Sequence, residues 1–273
     1  VRWALRLGAY EILKMRTPSH AAVDEAVQLI RDKRQRGFVN AVLRKVAALE
    51  QPHHLDDWGL RFSHPKWLID EAREFLKEPS TVEAWLHANN QVAETFVRLR
   101  SPLDASRLQA LRLEMLEGWQ HSAKLIGPLE PLLESDEFKS GKIVIQDLAS
   151  QVVVDAIPME GRQRIWDVCA APGSKTLHLA DTKPDAATIL ATELHPHRVT
   201  LLRETLERAH TDGVSILEAD ATNAQTFESP QFAQPFDCIL LDAPCSGLGT
   251  IQRHPELKYV QPEESLEVLQ RQL

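Results

Sequence analysis

The chain has 273 residues, 43% of them hydrophobic and 26% charged, a composition typical of a globular protein with a sizeable core. Its three cysteines form no CxxC pair and its histidines show no paired ligand spacing, which argues against a disulfide framework and a zinc site. No signal peptide and no bilayer-length apolar run is present. We therefore expect a cytoplasmic monomer without a membrane segment or a bound metal.

The net charge of −8 is unevenly distributed along the chain. Residues 1–50 hold ten Lys/Arg against five Asp/Glu, whereas the remaining residues hold 21 against 34. The basic excess centres on RDKRQRGFVNAVLRK, residues 31–45. Because a charge run is usually a solvated helix face, this segment by itself leaves a nucleic-acid partner open.

The first 48 residues have helical periodicity. Ser19 is expected to cap a helix whose apolar stripe is Val23, Val27 and Ile30, and Gly37 is expected to interrupt the pattern that follows. The chain starts at Val inside an apparent helix, and PEESLEVLQRQL at its other end is predicted to be an amphipathic helix. We expect from this that both ends are cut from a longer protein.

The middle of the chain is predicted to change from helices to a mixed unit. Residues 50–65 lack periodicity and are expected to be a linker, and a helical pair is expected over 66–90. FVRLR (96–100) is predicted to be a strand and SRLQALRLEMLEG (106–118) a helix. The expected domains are a helical domain over 1–50, a linker with a small α/β subdomain over 51–140, and a larger α/β domain over 141–273.

Short β-type segments alternate with helical stretches in the last part of the chain. They are IWDVC (165–169), TILATE (188–193), VSILEAD (214–220) and FDCILLD (236–242). The helix after the second segment is expected to bury Val199, Leu202 and Leu206. This alternation predicts βαβ units and a parallel sheet, on which ligands bind outside the carboxyl ends of the strands.

The first of these strands leads through CAAPGSKT (169–176) into a helix, so a ligand can approach the backbone near a helix N-terminus. A P-loop needs Gly immediately before Lys175 and another five residues earlier, but Ser174 and Cys169 stand there. GxGxxG is absent as well. Neither phosphate-binding motif fits this loop.

Three acidic residues follow at successive strand ends: Glu193, Asp220 and Asp242. Glu193 lies where a carboxylate accepts hydrogen bonds from ribose hydroxyls in dinucleotide folds, and Asp220 is expected to meet an adenine amino group. Singly, each acid is more simply a turn former or helix cap. Together with the loop they favour a nucleoside ligand without phosphates, such as the cationic S-adenosylmethionine.

These motifs also carry a resemblance. CAAPGSKT followed by DAPCSGLGTIQRHPELKY resembles the bacterial 16S rRNA cytosine-5 methyltransferases of the RsmB (Fmu/Sun) type, in the RsmB/NOP family. IQDLASQ (145–151) and RFSHPKW (61–67) resemble the family's segments before the catalytic sheet and the small subdomain. LGAYEIL, DEAVQLIR and RGFVNAVLRK resemble the NusB-like RNA-binding domain. The resemblance implies an α/β fold: an incomplete class I Rossmann-like sheet of about four strands, behind a small α/β subdomain and an all-α domain.

By resemblance, the activity is methylation of carbon 5 of a cytosine in small-subunit rRNA. The residues implied to line the S-adenosylmethionine site are Cys169, Ala170, Ala171, Pro172, Gly173, Ser174, Lys175, Glu193, Asp220 and Asp242. Ser174 departs from the family, which usually has a second Gly there, and a Ser needs either an ordinary φ or a strained one. Asp242, Lys175 and Cys245 are the implied catalytic residues.

The resemblance divides the thiol chemistry between two cysteines. A thiolate adds to carbon 6 so that carbon 5 can attack the methyl group, and Asp242 is placed to assist near N3. Lys175 is expected to lower the pKa of a neighbouring thiol. Cys245 is implied to assist product release, whereas the attacking cysteine belongs to a Thr-Cys motif after the next strand, which this sequence does not contain. Cys238 is expected to be a core residue. We therefore expect this chain to keep the cofactor pocket, to lack methyl transfer, and to leave the fourth strand with an unpaired apolar edge.

Two other functions stay open at this point. An amino-group methyltransferase typically carries Asn/Asp-Pro-Pro-aromatic after the fourth strand, but Pro244 is followed by Cys245, so this alternative ranks lower. A NusB-like RNA-binding protein with an inactive methyltransferase part agrees with the basic residues 31–45.

Overall fold

The chain divides into two compact units, Val1–Glu71 and Ala72–Leu273. A computed structural model describes residues 1–15, 17–49 and 56–260 of them. The helix predicted over 262–273 lies outside the described residues.

The first unit is helical. Its helices are α1 (Arg2–Lys14), α2 (Ser19–Gln28), α3 (Lys33–Ala47), α4 (Trp58–Phe62) and the beginning of α5 (Lys66–Leu76). The predicted stripe on α2 is confirmed, because Val23 and Ile30 are buried in a cluster with Leu43, and Val27 packs against that cluster. The periodicity of the sequence is therefore sufficient to identify the face that each helix buries.

Three local predictions in this unit are wrong. Ser19 is the first residue of α2 rather than its cap, which is Pro18 without a side-chain hydrogen bond. The helix α3 runs through Gly37, because this glycine is exposed and a helix interior tolerates glycine at a cost of about 1 kcal/mol. Part of the predicted linker is helix α4, whose first turn is capped by the Asp57 carboxylate accepting from the Gly59 N–H at 2.7 Å.

The second unit begins with a small antiparallel sheet. Its strands are β1 (Thr95–Leu99), β2 (Leu113–Met115), β3 (Ser122–Leu125) and β4 (Ile143–Ile145), in the order β2-β3-β1-β4. The helices of this part are the end of α5, then α6 (Pro79–Ala88), α7 (Ala105–Ala110), α8 (Glu130–Glu134) and α9 (Asp136–Lys139). The predicted helical pair and the predicted strand β1 are confirmed.

The helix predicted over 106–118 is wrong beyond its first turns. Helix α7 ends at Ala110, Arg112 adopts a left-handed φ of 54°, and β2 follows. In β2, Leu113 is buried while Glu114 is exposed, an alternation that pairs the strand with β3. A period-2 pattern of three residues is too short to recognise inside a helix-like run.

The larger sheet has four parallel strands, β5 (Arg164–Asp167), β6 (Thr188–Glu193), β7 (Val214–Glu218) and β8 (Cys238–Leu240), in the order β7-β6-β5-β8. Helices α10 (Leu148–Asp155), α11 (Ser174–Thr182) and α12 (Pro196–Arg208) complete this part. All four predicted strands and the Rossmann-like sheet are confirmed, and Val199, Leu202 and Leu206 of α12 are buried as predicted. The strand order reverses between β5 and β8, where such sheets bind ligands.

Strand β8 is one of the two edge strands of this sheet in the part of the chain that the structure describes, and β7 is the other. There it pairs only with β5, and the flanking apolar side chains of Ile239 and Leu241 are 57% and 64% exposed. The predicted apolar edge is confirmed for residues up to 260. Such an edge is a template for pairing with further strands.

Candidate active site

The loop after β5 is hydrogen-bonded to β8 on one side and to β6 on the other. The Val168 N–H donates to the Leu240 carbonyl at 2.9 Å, and the Ala170 N–H donates to the Thr192 carbonyl at 2.9 Å. Gly173 turns the loop into α11 with a φ of +107°, and a Cβ there would lie 3.0 Å from the Leu202 side chain. Both the backbone conformation and the close approach of α12 therefore require glycine.

Ser174 takes the first of the two conformations that the sequence left open. It is the first residue of α11, and it is not one of the described non-glycine residues that have a positive φ. The serine thus replaces the usual second glycine without backbone strain, because the left-handed residue of this turn is Gly173.

A cavity of about 550 Å³ opens at the carboxyl ends of the parallel strands. We call it the cofactor cavity. Its walls include side chains from all four strand ends, and these residues are Trp166, Val168, Cys169, Glu193, Leu194, His195, Arg198, Ala219, Asp220, Ala221, Thr222, Phe227, Ile239, Leu241, Ala243 and Pro244. Of the predicted site residues, Cys169, Glu193 and Asp220 line the cavity. Ala170 and Ala171 are instead buried in the core beside Leu177, and Pro172 is exposed.

Glu193 is buried, with only 4% of its surface exposed. Its Oε1 accepts from the His195 N–H at 3.2 Å, whereas Oε2 accepts no hydrogen bond from any described residue. A buried carboxylate oxygen without a donor carries a desolvation cost, which a hydroxyl donor in the cavity would offset.

Asp220 forms a local turn and also lines the cavity. Its Oδ1 accepts from both the N–H and the hydroxyl of Thr222, at 2.9 and 2.6 Å, which is the local turn expected of an Asp at a strand end. The hydroxyl hydrogen bond, followed by the backbone one, lowers the pKa of Asp220. The carboxylate is therefore a fixed anion that also lines the cavity.

Lys175 and Asp242 form an ion pair beside the cavity, with Nζ 2.7 Å from Oδ2. The Lys175 side chain is 19% exposed and that of Asp242 is 54% exposed. The first turn of α11 and the loop after β8 are thereby joined across the switch point. The pKa of the Cys169 thiol is raised, mainly by burial and then by the charge of Glu193. That Lys175 lowers the pKa of a neighbouring thiol stays a prediction.

Asp167, which lies between the cavity-lining residues Trp166 and Val168, was missed by the sequence reasoning. It ends β5, is 1% exposed, and has a pKa raised to about 6, chiefly by burial. Its Oδ2 accepts from the Thr176 hydroxyl at 2.7 Å, while Oδ1 accepts no hydrogen bond from the described residues. The signal in the sequence that could have identified Asp167 is a single acid inside the apolar segment IWDVC.

The aromatic wall of the cavity was missed as well. The Trp166 indole donates from Nε1 to the Thr192 hydroxyl at 2.9 Å and packs edge-on against Phe227, with 6.0 Å between ring centroids. Phe232 and Phe236 complete this aromatic cluster. The phenylalanines of TFESPQFAQPF carry no periodicity, so their convergence on one tryptophan was not predictable.

Cys245 is exposed and follows two residues that line the cavity, Ala243 and Pro244. Cys238 is half-buried and packs against a core cluster, as expected. The segment after Cys245 is tied to the α6–β1 connection. Three donors make these bonds: Gln252 to the Ala88 carbonyl at 2.8 Å, Arg253 to the Glu94 carbonyl at 2.7 Å, and Lys258 to the Asn90 side chain at 2.6 Å.

No group of three His, Cys, Asp or Glu side chains within residues 1–15, 17–49 and 56–260 is arranged to hold a metal ion. Over the same residues, no helix has the length and apolarity needed to cross a bilayer.

Comparison with known proteins supports the resemblance. Residues 155–273 match the family model of the 16S rRNA methyltransferases RsmB/F, and residues 1–48 match that of the NusB family. A ribosomal RNA small subunit methyltransferase B of Pseudomonas syringae pv. tomato is 33% identical over 283 residues, 97% of this chain and 60% of the relative. A probable methyltransferase of the same name from Bacillus subtilis is 30% identical over 305 residues, 98% of this chain and 63% of the relative. The chain thus spans less than two thirds of the length of these relatives.

Solved structures agree on the fold. The crystal structure of PH0851 matches 97% of this chain and 62% of its own, with a TM-score of 0.75 and 23% identity. NSun6 from Pyrococcus horikoshii, solved with SFG, matches 76% of this chain and 77% of its own, with a TM-score of 0.59 and 17% identity. The comparisons support the family resemblance over residues 155–273 and 1–48, and the solved structures agree on the fold.

Proposed function

We propose, on the premise that residues 155–273 carry the methyltransferase domain of the RsmB/F family and residues 1–48 a NusB-family segment, that this protein methylates carbon 5 of a cytosine in small-subunit rRNA. One observation carries the proposal. The cofactor cavity brings Cys169, Glu193 and Asp220 together, and the Lys175–Asp242 ion pair joins the first turn of α11 to the loop after β8.

The cofactor cavity suits S-adenosylmethionine in size and chemistry. Its volume of about 550 Å³ falls within the range of small-molecule sites. Oε2 of Glu193, which accepts no hydrogen bond from a described residue, is an acceptor for ribose hydroxyls. Asp220 is an anion for the adenine amino group, and Phe227 offers an apolar wall. Gly173 keeps the loop close to α12 and free of a side chain that would crowd it. When bound, the cofactor supplies the methyl group.

The chemistry on the cytosine follows from the poor nucleophilicity of its carbon 5. A thiolate adds to carbon 6, which makes carbon 5 an enamine carbon that takes the methyl group. Loss of the carbon 5 proton then lets the sulfur–carbon 6 bond break and releases the thiolate. We assign Asp242 to N3 of the base during the addition, Lys175 to holding that carboxylate at 2.7 Å, and Cys245 to product release.

The RNA partner is proposed from the first 48 residues. They match the NusB family, and the basic segment 31–45 lies largely on α3, whose N-terminus the Asp32 carboxylate caps. Exposed cations on a helix face bind phosphates without sequence preference, so this segment contributes affinity rather than choice of cytosine.

Two measurements on the 273-residue chain test the proposal. Calorimetry with S-adenosylmethionine should show binding that Glu193→Gln weakens at least about tenfold, since the variant loses one anionic acceptor. The matched control is Glu204→Gln, an exposed acid on α12, which should bind like the wild type. Equal affinity of the two variants would remove Glu193 from the site.

The second measurement is methyl transfer from labelled cofactor to small-subunit rRNA, with nucleoside mass spectrometry of the product. 5-Methylcytidine, reduced in Cys245→Ala, supports the proposal. N4-methylcytidine or N6-methyladenosine would replace it with an amino-group methyltransferase. Cofactor binding without any methylated nucleoside is the outcome expected if residues 1–273 lack the nucleophile, which stays a prediction. The same assay on a chain extended to the full length of its relatives then distinguishes that case from an inactive RNA-binding protein.

A further inference from the structure

Arg198 joins two walls of the cofactor cavity. It lies in the first turn of α12, and its Nη2 donates to the Ala171 carbonyl in the loop after β5, at 2.7 Å. Its Nε lies 3.5 Å from Oε2 of Glu193 at the end of β6. One planar guanidinium therefore spans the loop and the acid that together form one side of the cavity.

Arg198 pairs with the charge of Glu193 but does not donate a hydrogen bond to its Oε2. At 3.5 Å the pair is within ion-pair range, yet Oε2 accepts no hydrogen bond from the described residues. The glutamate is 4% exposed, so an unpaired charge there would be costly. Arg198 supplies the compensating charge without donating a hydrogen bond to Oε2, so this oxygen keeps its capacity to accept one.

We propose that Arg198 is a positioning residue for the nucleoside half of the cofactor: it sets the orientation of the Glu193 carboxylate so that this group selects a ligand with an intact ribose diol. The inference deepens the proposed function, because it assumes that Glu193 accepts from the ribose hydroxyls. It predicts that loss of Arg198 reduces the preference for the diol, beyond any general loss of affinity.

A cycle of ligand and residue changes isolates this effect. The probes are S-adenosylhomocysteine and its 2′-deoxy analogue, and affinities are measured by calorimetry on the 273-residue chain. The variants are Arg198→Met, Arg198→Lys and, as the matched control, Arg203→Met, an exposed arginine on the same helix. Circular dichroism at the assay temperature verifies that each variant is folded.

Arg198→Met should weaken the diol ligand by tenfold or more and the 2′-deoxy analogue by less than threefold, so that the ratio of the two affinities moves toward one. Arg198→Lys, which keeps a charge without the planar fork, should give an intermediate ratio. Arg203→Met should leave both affinities unchanged. An equal loss for both ligands, or none, would overturn the proposal, whereas failure of the wild type to bind either ligand would overturn the proposed function instead.

A second readout needs no ligand. Arg198 is a cation that lowers the pKa of the Cys169 thiol against the larger effect of burial. The pH midpoint of Cys169 alkylation, followed by peptide mass spectrometry, should therefore rise in Arg198→Met and stay unchanged in Arg203→Met. An unchanged midpoint in Arg198→Met would show that the guanidinium does not act at this wall of the cavity.

Discussion

Replacing Asp167 by Asn should stabilise the larger sheet at neutral pH, although Asp167 lies between two residues that line the cofactor cavity, Trp166 and Val168. The carboxyl is 1% exposed, and burial is the main cause of its raised pKa. The Asn side chain has the same shape, carries no charge and can still accept from the Thr176 hydroxyl, which now lies 2.7 Å from Oδ2. The change therefore removes the cost of a buried charge and keeps the packing.

The magnitude follows from the pKa. Raising it from 3.8 to about 6 corresponds to about 3 kcal/mol against the charged form, since a tenfold change in an equilibrium constant is about 1.4 kcal/mol. A group whose pKa is raised on folding contributes most stability below its unfolded pKa and loses this as pH rises through the folded pKa. The wild type should lose stability between about pH 4 and pH 6 relative to Asp167→Asn, and the difference should level off above about pH 7.

Urea unfolding between pH 4.5 and pH 8 measures this difference, with far-UV circular dichroism as the signal. Hydrogen exchange of peptides covering β5 reports the larger sheet separately from the helical unit. Asp185→Asn, at an exposed acid before β6, is the matched control and should show no such trend. A stability difference that is constant across this pH range, or an Asn variant less stable than the wild type at pH 8, would refute the reasoning.

Three more predictions concern stability and the cofactor loop. Burial lowers the pKa of His178 to about 4, so its stabilising contribution is present above pH 6.5 and is lost as the pH falls. In urea unfolding, the free energy of unfolding should fall between pH 7 and pH 4.5 by about 2–3 kcal/mol less in His178→Gln than in the wild type. Gly141→Ala should cost about 2–5 kcal/mol, because its φ is +69° and the new Cβ would lie 2.5 Å from the Ala209 backbone. Gly118 has a similar φ of +80°, but no atom lies within 4 Å of the added Cβ, so Gly118→Ala should cost only about 1–2 kcal/mol from backbone strain. Equal costs for the two variants would contradict the contribution of crowding at Gly141. Gly173→Ala should lower the affinity for S-adenosylmethionine at least about tenfold in calorimetry, and unchanged binding would show that the φ of +107° is not needed.

The sequence by itself determined the parts whose signals are local and periodic. The alternation of apolar segments with helical stretches determined the parallel sheet, since each βαβ unit carries its own pattern of 2.0 and 3.6 residues. The stripe of Val199, Leu202 and Leu206 identified the buried face of α12 for the same reason. The motifs at the carboxyl ends of the strands were sufficient to predict the resemblance that the match of residues 155–273 to the RsmB/F family model supports, and they included Glu193 and Asp220, which line the cavity.

Only the tertiary structure decided which partners those residues meet. Strand β2 was hidden in a helix-like run because its formation depends on pairing with β3. Asp167 becomes a perturbed acid only when the sheet and α11 enclose it, and Arg198 becomes part of the site only when α12 packs back onto the loop after β5. Burial and contacts between residues distant in sequence leave no periodic signal, so the residues that organise the site were visible only after the chain was folded.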